Sequence, residues 1–197
     1  RILIASSALA LVVACGEAET QVTPEPTPTP EMTPTETPTP EPMPEEVMFE
    51  EFSTTGPVVG ADGGEIGTLT VTGGPIGTVI KVELGEGALT PGWHGLHLHQ
   101  VADCSDVGQF TLSGGHVGKV EGGHGLLNPE GPEAGDIPNI WAAADGSAGY
   151  EAFTTLAGAD ELMDEDGTAL IIHEGPDDML TQPIGGAGSR VACGLIQ

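Results

Sequence analysis

Positive charge is what this chain most conspicuously lacks. Of 197 residues only Arg1, Lys81, Lys119 and Arg190 are basic, against 30 Asp and Glu, for a formal net charge of −26. A nucleic-acid partner needs clustered Lys and Arg to neutralise its phosphates, so that class is excluded. Electrostatic attraction to an anionic membrane surface is excluded on the same ground. Aromatic residues make up only 4% and cysteines number three, Cys15, Cys104 and Cys193. The most apolar stretch, Ile2 to Ala14, falls short of the about 20 apolar residues that a membrane-spanning helix needs. Glycine (31) and proline (17), by contrast, are abundant. Such a composition suits short strands joined by many turns, not long helices. The length accommodates one ordinary domain with additions and hardly two.

Residues 1–15 read as an export signal: a basic residue, an apolar run, then Val12-Val13-Ala14-Cys15-Gly16. That ending resembles the bacterial lipoprotein signal, which implies lipid modification of Cys15 and a membrane anchor outside the cytoplasm. An ordinary secretory signal with an incidental cysteine is the alternative. Residues 16–46 form a Thr-Pro-Glu-rich linker with almost nothing to bury and prolines that forbid helix and sheet ladders. An extended spacer, reaching up to roughly 80 Å at about 3.1 Å per residue, is expected. Residues 47–197 are then the folded domain. It holds 22 of the 30 acidic residues against three basic ones, a balance that reads as solubility in an exposed compartment.

Within that domain Thr78 to Leu84 alternates, placing Ile80, Val82 and Leu84 inside and Lys81 and Glu83 outside. Ile66 to Thr72, Leu96 to Val101, Tyr150 to Leu156, Thr168 to His173 and Val191 to Ile196 are further short strand candidates. Ala102 to Asn139 lacks periodicity and is rich in Gly, Pro and Asp. A loop of that length inside a compact domain is functional or held by something. It carries His116, His124 and Asp136, so metal is expected to order it.

His97-Leu98-His99 is the strongest local signal. Residues two apart in a strand share a face, so both imidazoles project together while Leu96 and Leu98 face the other way. His94 falls on the leucine parity and reads as structural. The remaining histidines, His116, His124 and His173, lie in the long loop or at the end of a strand. Five of the six histidines can therefore meet in one redox-metal site, with copper the metal such a set suits.

Gly95-Leu96-His97-Leu98-His99, Ser113-Gly114-Gly115-His116, His124, Gly131-Pro132-Glu133-Ala134-Gly135-Asp136, His173 through Asp178 and Gly186 through Gly194 occur in this order. In these motifs the domain resembles copper/zinc superoxide dismutase. The resemblance implies an all-β fold, an eight-stranded Greek-key antiparallel barrel or sandwich with long metal-binding loops. It implies superoxide as substrate, dismuted to dioxygen and hydrogen peroxide by a redox-cycling copper. His97, His99, His116 and His173 would hold copper, and His116 would bridge to zinc, bound also by His124 and Asp136. Asp177 would link a copper histidine to a zinc histidine, and Arg190 would hold the substrate anion. Cys104 and Cys193 would form a disulfide, leaving Cys15 for lipid. Monomer and homodimer both occur in the family.

One position departs from the pattern. Glu133 stands where the family has a third zinc histidine. A glutamate oxygen can ligate zinc, so a weaker zinc site is one expectation. A copper-only enzyme with the zinc site lost is the other. A copper-storage module without turnover would use the same histidines, but it has no need of Arg190.

Overall fold

The computed structural model describes residues 51–197. The signal at 1–15, Cys15 as anchor, the linker at 16–46 and the first four residues assigned to the domain lie outside the described residues. Among the described residues nine antiparallel strands form one sheet: β1 (Phe52–Gly60), β2 (Glu65–Gly74), β3 (Gly77–Leu84), β4 (Gly92–His94), β5 (Leu96–His99), β6 (Ile140–Ala142), β7 (Ala148–Thr154), β8 (Thr168–His173) and β9 (Arg190–Ile196). Helix among the described residues is limited to a single turn at Ala159–Leu162 and a 3-10 turn at Thr111–Ser113.

The strand order is β4-β6-β7-β3-β2-β1-β9-β8-β5. The two edge strands, β4 and β5, are consecutive in sequence and separated only by Gly95. The sheet therefore curls until its edges meet, and the all-β barrel follows. Counted as one strand broken at Gly95, β4 and β5 give the eight strands expected. Three-residue β4 and β6 are too short for periodicity to register, and β7 runs two residues earlier than the Tyr150–Leu156 candidate. β5 stops at His99, not Val101, because the chain turns there into the long loop.

Alternation builds the core. Val58, Leu69, Val71, Ile80, Val82, Leu96, Leu98, Leu170, Ile172 and Ile196 point inward and are buried together. Lys81 and Glu83 lie outside and pair at 2.9 Å. β5 and β8, however, are buried on both faces. Their outer face carries His97 and His99, paired in register with Ile171 and Ala169. A second cluster covers that face: Phe110, Ala169, Ile171 and Cys193, with Cys104 against it.

The loop after β5 is laid along this outer face by backbone hydrogen bonds. Leu98 donates to Gly135 O, Val117 to Leu98 O and Gly135 to Val117 O, each at 2.9 Å. Gly135 permits this approach, because a Cβ there would stand 2.3 Å from Leu98 O. The Cys104–Cys193 disulfide pins the start of the loop to β9. Backbone pairing and a cross-link thus hold the loop along this face, where it brings His116, His124 and Asp136 beside β5.

Candidate metal centre

The histidines converge because strand register and loop pairing carry them to one place. His97 and His99 share the outer face of β5. Isolated antiparallel bridges set Asp136 beside His97 and His116 beside His99. His173 ends β8 at a shift in register that pairs it with Arg190 of β9. A bulge of this kind re-aims a side chain. The ring of His97 lies 4.3 Å from that of His116 and 4.9 Å from that of His173, centroid to centroid.

Two donor groups result. One donor atom from each of His97, His99 and His173 lies within 4.8 Å of the others, and so do atoms from His97, His116, His124 and Asp136. All six residues are buried. His94 joins neither group: its ring nitrogens face the carbonyl oxygens of His173 and Thr90, both at 2.7 Å.

Each histidine of the first set has one ring nitrogen occupied and one free. His97 Nε2 donates to Asp177 Oδ2 at 2.8 Å, His99 Nδ1 to Gly114 O at 2.9 Å and His173 Nδ1 to Gly188 O at 3.0 Å. His116 Nδ1 donates to Glu133 Oε2 at 2.8 Å. The opposite nitrogens, His97 Nδ1, His99 Nε2, His116 Nε2 and His173 Nε2, are buried without any hydrogen-bond partner. A buried polar atom left unpaired costs about 1–3 kcal/mol, so four in one place need a partner of another kind. Burial, reinforced by the Arg190 charge, pushes His99 down to about 2. Burial, then the neighbouring His97, pushes His173 down to about 3. Both imidazoles are held neutral, as metal ligation requires.

In the second set His124 and Asp136 have their polar atoms hydrogen-bonded. His124 Nδ1 donates to Asp136 Oδ1 at 2.8 Å, and its Nε2 faces Asp177 Oδ1 at 3.3 Å. Burial opposes charge on His124, but the hydrogen bonds to Asp136 and Asp177 outweigh it and raise the pKa to about 10. Burial would likewise raise Asp136, yet hydrogen bonds from His116, His124 and the Gly125 amide hold it well below the carboxylate range. Asp177 spans both sets through His97 and His124. Gly185, at φ +60°, closes over Asp177, where a Cβ would fall 1.6 Å from Oδ1.

Three further residues support the site, of which Asn139 and Gln182 left no signal in the sequence. Asn139 clamps the backbone of Asp177, its amide donating to Asp177 O at 2.9 Å and accepting from Asp177 N–H at 3.0 Å. Gln182 clamps the backbone of His124 in the same two-sided way. Ser113 receives Arg190 Nη1 at 2.9 Å, while Nη1 and Nη2 also donate to Phe110 O and Gly114 O. Phe110 presents that carbonyl from a left-handed conformation, φ +51°. The tethered guanidinium and His173 line an open cleft of about 360 Å³ with Gly108, Thr111, Ile184 and Gly188.

The family model for copper/zinc superoxide dismutase (SODC) matches residues 65–196. The chain belongs to the copper/zinc superoxide dismutase family. It is similar to the copper-zinc superoxide dismutase of Caulobacter vibrioides, 46% identical over 152 residues that cover 74% of this chain and 86% of that protein. A copper-zinc enzyme of Aquifex aeolicus is 38% identical over 75% of this chain and 89% of its own length. Among solved structures, the copper/zinc superoxide dismutase of Brucella abortus superposes with a TM-score of 0.60 at 32% identity, covering 74% of this chain and all of that one.

Copper and zinc are the cofactors of this family, and both donor groups fit a metal. Four unpaired imidazole nitrogens suit copper in either oxidation state. Two imidazoles and a carboxylate, His116, His124 and Asp136, suit zinc. Glu133 is 3% exposed and reaches His116, but it is not among the four donors that lie within 4.8 Å of one another.

Proposed function

We propose that His97 Nδ1 and the Nε2 atoms of His99, His116 and His173 hold the catalytic copper of a superoxide dismutase, with His116 shared between copper and zinc. The relatives support the activity: the protein is a superoxide dismutase. The observation that carries the site assignment is the set of four buried, unpaired nitrogens beside a tethered arginine. Copper, when bound, supplies the one-electron reservoir between two successive superoxide ions.

The chain's own residues bind, orient and move protons. Arg190 offers a permanent positive charge at the cleft, and its three hydrogen bonds to the loop fix where an anion is held. With copper bound as the electron acceptor, His116 would take a proton from water at Nε2 once the first superoxide had left as dioxygen. It would give that proton, with a second from water, to the second superoxide, which takes the stored electron and leaves as hydrogen peroxide. Asp177 keeps the rings of His97 and His124 in fixed orientation from one carboxylate.

Location at the cell surface through lipid on Cys15 belongs to the same proposal. It is supported by the signal-like residues 1–15, and the Cys104–Cys193 disulfide fits an oxidising, exported setting. Storage of copper without turnover does not account for Arg190.

Superoxide decay followed with copper-loaded protein tests this reading. Arg190→Ala is expected to lower kcat/KM at least tenfold with copper content unchanged, whereas His173→Ala loses copper and activity together. Wild-type decay rates in Arg190→Ala would contradict it.

A further inference from the structure

Glu133 is a buried carboxylate fixed at both oxygens. Oε2 accepts from His116 Nδ1 at 2.8 Å, and Oε1 accepts from the Val120 amide at 3.0 Å. Its own amide donates to Asp136 Oδ2 at 2.9 Å, so backbone and side chain are both held. A carboxylate accepts hydrogen bonds and offers none, so it keeps the hydrogen of His116 on Nδ1. The lone pair then lies on Nε2, the nitrogen that is buried and unpaired beside His97, His99 and His173. Orienting the His116 ring and fixing its tautomer is the service a bridging zinc would perform from the same side. Asp136 cannot readily replace it. Its Oδ1 stands 3.2 Å from His116 Nδ1 and already receives His124, and its Oδ2 receives two backbone amides.

We infer that Glu133 is a positioning residue for His116, and that through it the copper half reaches its four-nitrogen arrangement without metal in the zinc half. Zinc can still bind to His116, His124 and Asp136, but copper does not wait for it. The inference rests on the four-histidine copper assignment.

The test uses the full chain stripped of metal and titrated with copper alone against a competing chelator, with and without zinc. The spectrum of the bound Cu(II) is recorded alongside. In the wild type, zinc is expected to change copper affinity by less than about threefold. Glu133→Ala is expected to lower zinc-free copper affinity about 10–100-fold, the usual cost of removing a partner behind a metal ligand, and added zinc restores it. Glu133→Gln keeps an acceptor oxygen and stays nearer the wild type, which separates loss of orientation from misfolding. A tenfold or larger gain from zinc in the wild type would overturn the inference, as would unchanged zinc-free binding in both variants. If the wild type bound copper through fewer than four nitrogens, the copper assignment itself would fail. Four nitrogens with no response to Glu133 would sink this inference alone.

Discussion

The two halves of the site share His97, His116 and Asp177 yet differ in how their polar atoms are satisfied. The copper half leaves four imidazole nitrogens buried and unpaired. The zinc half pairs His116 and His124 with Glu133, Asp136 and Asp177. Carboxylates make the difference: acceptors on one side complete a hydrogen-bonded network, and imidazoles facing imidazoles on the other cannot. On the assignment proposed above, the zinc half completes its hydrogen bonds with carboxylates, whereas the copper half keeps four nitrogens for a metal.

Ligand removal sharpens that contrast most. His99→Ala is expected to weaken copper binding by two orders of magnitude or more, and His124→Ala by less than tenfold, measured by chelator competition. Equal losses would erase the distinction between the halves. Next in size is the clamp that holds the loop over both. Cys104→Ser opens a link spanning 89 residues and is expected to cost about 2–4 kcal/mol in denaturant unfolding.

Acid should divide the halves as well. In metal-free protein His99 and His173 have folded pKa values of about 2 and 3, below the ordinary 6.5. Bases of that kind take protons only when the chain unfolds, so their contribution is intact above pH 6.5 and is lost as pH falls below it. His124, raised to about 10, keeps its full contribution below pH 6.5 and so offsets part of the loss. Between pH 7 and pH 5 the net loss is expected to be roughly 2–3 kcal/mol by urea unfolding. Equal stability at the two values would show that the copper-half imidazoles are not held neutral.

The smallest effect concerns capture. The stretch from His173 to Arg190 carries Glu174, Asp177 and Asp178 and no lysine. Charge steering of superoxide, for which this family is a standard example, is therefore expected to be weak here. The rate constant is expected to rise or stay level as ionic strength increases from about 0.01 to 0.15 M. Exposed Glu174, beside Gly188, is the place to reverse that slope: Glu174→Lys should speed low-salt turnover a few-fold. A wild-type rate that climbs as salt is withdrawn would contradict this.

Side-chain chemistry was legible in the sequence where it follows strand parity. His97 and His99 share a face, Leu96 and Leu98 sit in the core, and His94 stays out of both donor groups, as the period of two requires. Residues that act through the backbone were not. The carbonyls of Gly114 and Gly188 orient His99 and His173, and any residue carries a carbonyl. Asn139 and Gln182 read as ordinary loop residues until the fold brings them to Asp177 and His124. Closure of the barrel was legible only through the family resemblance: nothing local at Gly95 announces that the chain passes from one edge of the sheet to the other.

The most direct test of the account is the paramagnetic resonance spectrum of the protein loaded with copper alone. Splitting from four nitrogens is predicted, retained in His124→Ala and reduced by one in His116→Ala. An oxygen ligand in place of one nitrogen, or loss of the four-nitrogen pattern in His124→Ala, would contradict it.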